Sequence, residues 1–140
     1  KGGGISLKMV GDILLKNIKV DNNQARVGAG VHIEGEGSAS SIPTILYIEN
    51  SVISNNSATT YGGGISLSGS IISSIMKSVT VVNNSAVDGG GGISAGSMGD
   101  YAIVVNSIFW NNQPTNADGM IFPYYSNIDI PVGTNNLYDA

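Results

Sequence analysis

The chain has 140 residues, 20 of them glycine and none cysteine, with 11% charged residues and a formal net charge of −4. That length buries one core, the low charge sets the chain apart from disordered tails, and the missing cysteines exclude disulfides and thiolate metal sites. An acidic balance in which Arg26 is the sole arginine excludes phosphate-backbone binding of nucleic acid, and no apolar run reaches the roughly 20 residues of a membrane-spanning helix.

In chain order, Gly2-Gly3-Gly4 opens an apolar segment, Ile5-Ser6-Leu7, and Ile- and Val-rich segments follow up to the pair Asn22-Asn23. The phrase returns as Gly28-Ala29-Gly30 before Val31-His32-Ile33, as Gly62-Gly63-Gly64 before Ile65-Ser66-Leu67, and as Gly90-Gly91-Gly92 before Ile93-Ser94-Ala95. Each copy ends on an asparagine pair, Asn55-Asn56, Asn83-Asn84 and Asn111-Asn112, so the pairs recur after 33, 28 and 28 residues. A period of this length belongs to repeat architectures. The apolar segments predict short strands, whereas glycine triplets damage a helix. The connections are too short and too rich in Gly and Asn for the helical crossovers that parallel strands otherwise use. The remaining arrangement stacks each strand on its own copy one repeat away. The predicted fold is therefore all-β, a parallel β-helix or solenoid of about five coils.

Aligning the repeats tests that fold. Ile5, Val31, Ile65 and Ile93 make one apolar column, and Leu7, Ile33, Leu67 and Ala95 make a second, both pointing inward. Alternation sends Ser6, His32, Ser66 and Ser94 outward, followed by Lys8, Glu34, Ser68 and Gly96, with Lys8 beside Glu34 on adjacent coils. Val20, Ile53, Val81 and Phe109 line up before the asparagine pairs, Leu15, Ile48, Met76 and Val104 further back, and Lys16, Glu49, Lys77 and Val105 form a column of alternating charge.

Asparagine tolerates left-handed backbone, and its amide can bond the same amide one coil away. Asn22, Asn55, Asn83 and Asn111 are the expected ladder of this kind, as in cross-β stacks; Asn17, Asn50 and Asn106 are a second candidate, with Ser78 interrupting it. Glycine corners at Gly4, Gly30, Gly64 and Gly92 allow positive φ and close backbone approach, with small Ala25, Ala58 and Ala86 beside them. The longest variable loop runs from Gly35 to Pro43. After Asn112 the phrase weakens: Pro114 stands where Ala is expected, no glycine triplet follows, and Pro123, Pro131 and Tyr124-Tyr125 interrupt. The expectation is one β-helix segment over 1–140, with regular coils over 1–113 and an irregular last coil over 114–140. Because the chain opens inside a repeat at Lys1, it is expected to be a fragment of a longer solenoid.

These residues resemble a known group. The Gly-Gly-Gly-Ile-Ser repeats and Phe109-Trp110-Asn111-Asn112 are similar to the GGAI and FxxN motifs of polymorphic outer-membrane protein repeats. Phe109 and Asn112 match the second motif, whereas Ile53 and Asn56 keep its spacing without Phe. Asn106 to Asn112, then Tyr125-Ser126-Asn127-Ile128 and Thr134 to Ala140, resemble more closely the β-helix repeat proteins secreted by Bacteroidetes. The resemblance spans nearly the whole chain and implies right-handed coils. It also implies a large secreted or cell-surface bacterial protein, often adhesive and sometimes carbohydrate-active. It transfers no catalytic residue.

Chemistry beyond stacking is thinly represented. Gly89 to Gly92 lacks the Lys-Ser/Thr ending of a phosphate loop. Ile65-Ser66 and Ile93-Ser94 stand where the calcium-binding nonapeptide needs Asp. Lyases and hydrolases need clustered acids with a basic partner or Ca²⁺, and the ten acids here are scattered. His32, Glu34 and Glu36 share one face and form the nearest thing to a site, although an exposed strand edge explains them as well. Trp110, turned outward beside inward Phe109, and Tyr124 and Tyr125 on the next coil are candidates for stacking on sugar rings or packing against a neighbouring module. No catalytic residue, cofactor or metal site is predicted. The expected function is non-enzymatic: a structural or adhesive rod that presents loops or distal modules. Its expected partners are other modules of the same chain, surface proteins or glycans, with neither nucleic acid nor a direct membrane span. The alternatives are part of a polysaccharide-cleaving enzyme with catalytic residues outside this segment, and an assembly protein docking through open coil ends.

Overall fold

Apolar residues two apart, repeated at matching places in each repeat, build strands that bury one face. The computed structural model describes residues 2–9, 11–35, 44–69, 72–96 and 101–128, and among these the regular elements are strands, with no helix. Fourteen strands form a 12-stranded sheet and a 2-stranded sheet, and every pairing is parallel. The described residues fall into five stacked rows, within 2–27, 28–61, 62–89, 90–115 and 116–128.

The first leg of the large sheet joins β1 (Ile5–Met9), β5 (Val31–Gly35), β8 (Ile65–Gly69), β10 (Ile93–Ala95) and the start of β13 (Ala117–Tyr124). The second leg stacks β2 (Ile13–Lys16) and β3 (Lys19–Asp21) on β6 (Thr44–Ser54), then β9 (Ile72–Val82), then β11 (Tyr101–Val105) and β12 (Ile108–Trp110), and last the end of β13 with β14 (Asn127–Ile128). A third, minor leg pairs β4 (Gln24–Ala25) with β7 (Ser57–Ala58).

The register matches the sequence columns. Ile5, Val31, Ile65 and Ile93 are Cα partners in turn, as are Leu7, Ile33, Leu67 and Ala95, and row 5 adds Ala117 and Gly119. The core between the legs holds Val31, Ile33, Ile48, Ile53, Ile65, Leu67, Met76, Val81, Ile93, Val104 and Phe109, all buried. Row 4 carries the large Phe109 where other rows have Val or Ile, and small Ala95 and Ala102 at other core positions offset the ring's added volume. The inward Ser74 is satisfied by donating to the Tyr101 carbonyl at 3.1 Å.

The segment after Asn112 departs from expectation. Residues 117–124 are not irregular but pair in register with β10 through Ala117–Gly119 and with β11 through Met120–Tyr124. Asn116 takes the corner place held by glycine in earlier rows, since Ile93 N donates to its carbonyl as Ile65 N does to that of Gly92. The row is entered four residues after Asn112 instead of seven or eight, and this shortened corner hides the repeat. Pro131 lies outside the described residues, as do Glu36 and residues 36–43 of the predicted long loop.

Alternation also misses what covers the outward column. His32, Ser66 and Ser94 are buried, at 2%, 4% and 4% exposure, and only Ser6 is exposed. The turns at Gly28, Gly62 and Gly90, with φ of 60°, 64° and 56°, pack their backbone against these three buried residues, whereas the same turn at Gly2, with φ of 65°, leaves Ser6 exposed. A Cβ at Gly28 would stand 2.6 Å from His32 Cβ, and one at Gly62 would stand 2.6 Å from Ser66 Cβ.

Gly30 and Gly64 serve a different need. A Cβ at either would lie 2.5 Å from the carbonyl oxygen of the next row's glycine, and 3.0–3.1 Å from the side-chain nitrogen of Asn56 or Asn84. Gly64→Ala is therefore expected to cost about 2–3 kcal/mol in urea unfolding, as overpacking against backbone does. Gly11→Ala, whose Cβ would meet nothing within 4 Å, is expected to be neutral.

Candidate functional site

The most organised polar cluster in the molecule runs along the stacking direction beside the glycine corners. It is built from the second asparagine of each pair. Asn23 donates from both its backbone N and its Nδ2 to Asn56 Oδ1, each at 3.0 Å. Asn56 does the same to Asn84 Oδ1 at 3.0 and 2.9 Å, and Asn84 to Asn112 Oδ1 at 2.9 Å twice. Asn112 closes the series on Asn116 Oδ1 at 3.0 and 2.6 Å. The second proton on Nδ2 of Asn56, Asn84 and Asn112 reaches back to the carbonyls of Val20, Ile53 and Val81 in the preceding row. Each interior amide thus gives two hydrogen bonds and accepts two, its full capacity, while Asn56, Asn84 and Asn112 are buried.

The residues expected to form the ladder sit one place earlier and do something else. Asn22, Asn55, Asn83 and Asn111 are exposed and hold φ of 58°, 55°, 56° and 52°. They turn the chain in the left-handed region, which asparagine tolerates better than most residues. One amide contact joins two of them, Asn111 Nδ2 to Asn83 Oδ1 at 2.8 Å; Asn22 and Asn55 donate to Asp21 instead. Asn17, Asn50 and Asn106 likewise hold positive φ and are exposed, and Ser78 and Tyr125 occupy the same column with φ of 56° and 49°. At that bend the next residue carries the link between rows. Ser51, Ser107 and Ser126 accept from the backbone N of Ile18, Val79 and Ser107 at 3.2, 3.0 and 3.2 Å, and donate to Glu49, Val105 and Tyr124 carbonyls. Gly4, Gly30, Gly64 and Gly92 line the ladder as its close neighbours.

Of the weaker candidates, His32 is buried and Glu34 is half-buried, two places apart on β5. They do not make an open acid–base patch. Trp110 is 52% exposed, Tyr124 53% and Tyr125 92%. The register sets Trp110 over Val82 and Tyr124 over the Val105–Lys77 column, five places apart, so these rings do not stack into a strip. Among the described residues no group of three or more His, Asp or Glu stands ready to hold a metal ion.

The charged feature that does stand out is Asp21. Its carboxylate accepts from Ser54 Oγ at 2.7 Å, Asn55 Nδ2 at 2.8 Å and Asn22 Nδ2 at 2.9 Å, with Lys19 Nζ at 3.8 Å. The Ser54 hydrogen bond first, then that of Asn55, holds its pKa below the ordinary 3.8. A second ion pair joins Lys16 and Glu49 at 3.1 Å, within the predicted charge column.

Comparison with protein-family models, curated proteins and solved structures finds no match to this chain.

Three outcomes follow from the geometry. Asn84→Ala, which strands the backbone N and one Nδ2 proton of Asn56 and the Ile53 carbonyl, and leaves Asn112 Oδ1 only the bond from the residue-84 backbone N, is expected to cost about 3–5 kcal/mol in chemical unfolding. Asn83→Ala is expected to cost about 1 kcal/mol, the price of left-handed backbone. Because the folded-state pKa of Asp21 is depressed, its contribution is present above 3.8 and is lost as acid titrates the group through its lowered value. The thermal midpoint of Asp21→Asn is therefore expected to lie below that of the parent at neutral pH, with the difference closing in strong acid.

Proposed function

We propose that the chain is a right-handed parallel β-helix that serves as a structural or adhesive segment of a secreted or cell-surface bacterial protein. In this reading it is a stiff, non-enzymatic rod whose role is to hold loops and neighbouring modules in place. The observation that carries the reading is how the repeated residues are employed. The ladder asparagines, the bend serines and the corner glycines all bond or pack against the next row. Such a stack resists bending because every row is pinned to its neighbours by the backbone and by at least two columns of side chains. Each row adds about 4.8 Å along the stack.

Two further observations support the reading. The motif resemblance to secreted and outer-membrane β-helix repeats falls on Phe109 and Asn112, residues used here for core and ladder. Exposed Trp110, Tyr124 and Tyr125 on the outer surface suit contact with glycans or with another module. Antibodies raised against the chain are expected to label intact, unpermeabilised cells of the organism that makes it. Labelling that needs permeabilisation would overturn the surface assignment. Release of reducing ends from polysaccharides by the purified chain would replace the structural role with an enzymatic one.

A further inference from the structure

The outer face of the second leg has a composition that an exposed sheet face normally avoids. Alternation turns Leu14, Tyr47, Ile75, Ile103 and Phe122 outward, and the register stacks them in one column across all five rows. An antiparallel or edge-exposed sheet places polar residues at such positions. Here every row has a large apolar side chain, and the column runs about 19 Å at 4.8 Å per row. Leu14 is 57% exposed and the other four are partly so.

The columns on either side extend the stripe toward row 5. On one side Ser73 is followed by Tyr101 and Met120, with the Tyr101 and Phe122 rings packed edge to face at 6.3 Å. On the other side stand Lys16, Glu49, Lys77, Val105 and Tyr124. Glu49 pairs with Lys16 in its own chain, whereas the exposed Lys77 makes no ion pair among the described residues.

We propose that this face is the contact surface between two copies of the chain, packed outer face to outer face with their stacking directions opposed. The charge column selects this occupant. A two-fold axis lying along the strands between rows 2 and 3 sets rows 1–4 of the apolar stripe of one copy on those of the other, and row 5 with Phe122 projects past row 1 of the second copy. The same operation brings Glu49 opposite Lys77 of the second copy, and Lys77 opposite its Glu49. The contact is self-complementary, as a two-fold interface must be. Rows 1 and 4 then face one another, which places Leu14 against Ile103 and Lys16 beside Val105, with no like charges opposed. The stripe is narrow against the roughly 800 Å² per partner of a standard interface, so the dimer is a reversible one.

Sedimentation of the 140-residue chain over a wide concentration range tests this. The expected result is a reversible shift from 14.3 kDa to twice that mass. Ile75→Lys is expected to keep the strand signature in circular dichroism and to sediment as a monomer. Lys77→Glu, checked by the same circular dichroism because it sets a second carboxylate beside Glu49 on the adjacent row, is expected to weaken association about tenfold or more. Adding Glu49→Lys to it is expected to restore the dimer. A strict monomer at every concentration overturns the proposal. So does a dimer indifferent to Ile75→Lys and Lys77→Glu, or open-ended polymers, which would place the contact at the ends of the stack.

Discussion

Wherever a stacked sheet turns a corner, the backbone leaves its regular pairing and its amides lose their partners, and a buried amide left unpaired costs about 1–3 kcal/mol. In this protein one side chain meets that demand at the tightest corner. The second asparagine of each pair lends its oxygen to the backbone N–H and the Nδ2 of the row before, and returns its own nitrogen to the oxygen of the row after. Its remaining proton satisfies a strand carbonyl. Because donors and acceptors balance within each interior rung, the rungs repeat without leaving a polar atom over.

The rest of the architecture follows from that spacing. An amide can reach its copy only if rows stay at strand separation through the corner, so the facing backbone must be free of Cβ atoms. Gly30, Gly64 and Gly92 stand there, each with its own row's asparagine nitrogen at the place a Cβ would crowd. In row 5 the same corner position is Asn116, and its Oδ1 is the acceptor on which the ladder closes. The opposite bend solves the same problem with hydroxyls, Ser51, Ser107 and Ser126 standing in for a backbone acceptor. Asn, Ser and Tyr at the preceding left-handed position show that this site demands a conformation more than a particular side chain.

Register through the first four rows was legible in the sequence, because a one-place slip would have turned Val31, Ile65 and Ile93 out of the core. What the asparagine pair does was legible only in part. Both members are Asn and share one spacing, so nothing local separates the bend residue from the buried rung. Invariance does not separate them either, because Asn22, Asn55, Asn83 and Asn111 are as constant as Asn23, Asn56, Asn84 and Asn112, although the other left-handed column tolerates Ser78 and Tyr125. Row 5 escaped notice because its corner is three or four residues shorter and contains no glycine triplet. The burial of His32 escaped because alternation gives the side of a strand and not what folds over it; the Gly28 turn does so here. The outward aromatics were correctly placed as exposed, but their five-place offset depends on where row 5 begins.

The central claim is that the second asparagines, and not the first, hold the rows together. Hydrogen exchange of side-chain amides, followed by NMR on the folded protein, reads this directly, since protection reports burial and bonding of each NH₂ group. The account predicts slow exchange for the Nδ2 protons of Asn56, Asn84 and Asn112, approaching that of core backbone amides, and rapid exchange for those of Asn22, Asn55, Asn83 and Asn111. Equal exchange in the two sets, or protection confined to the first asparagines, would contradict it.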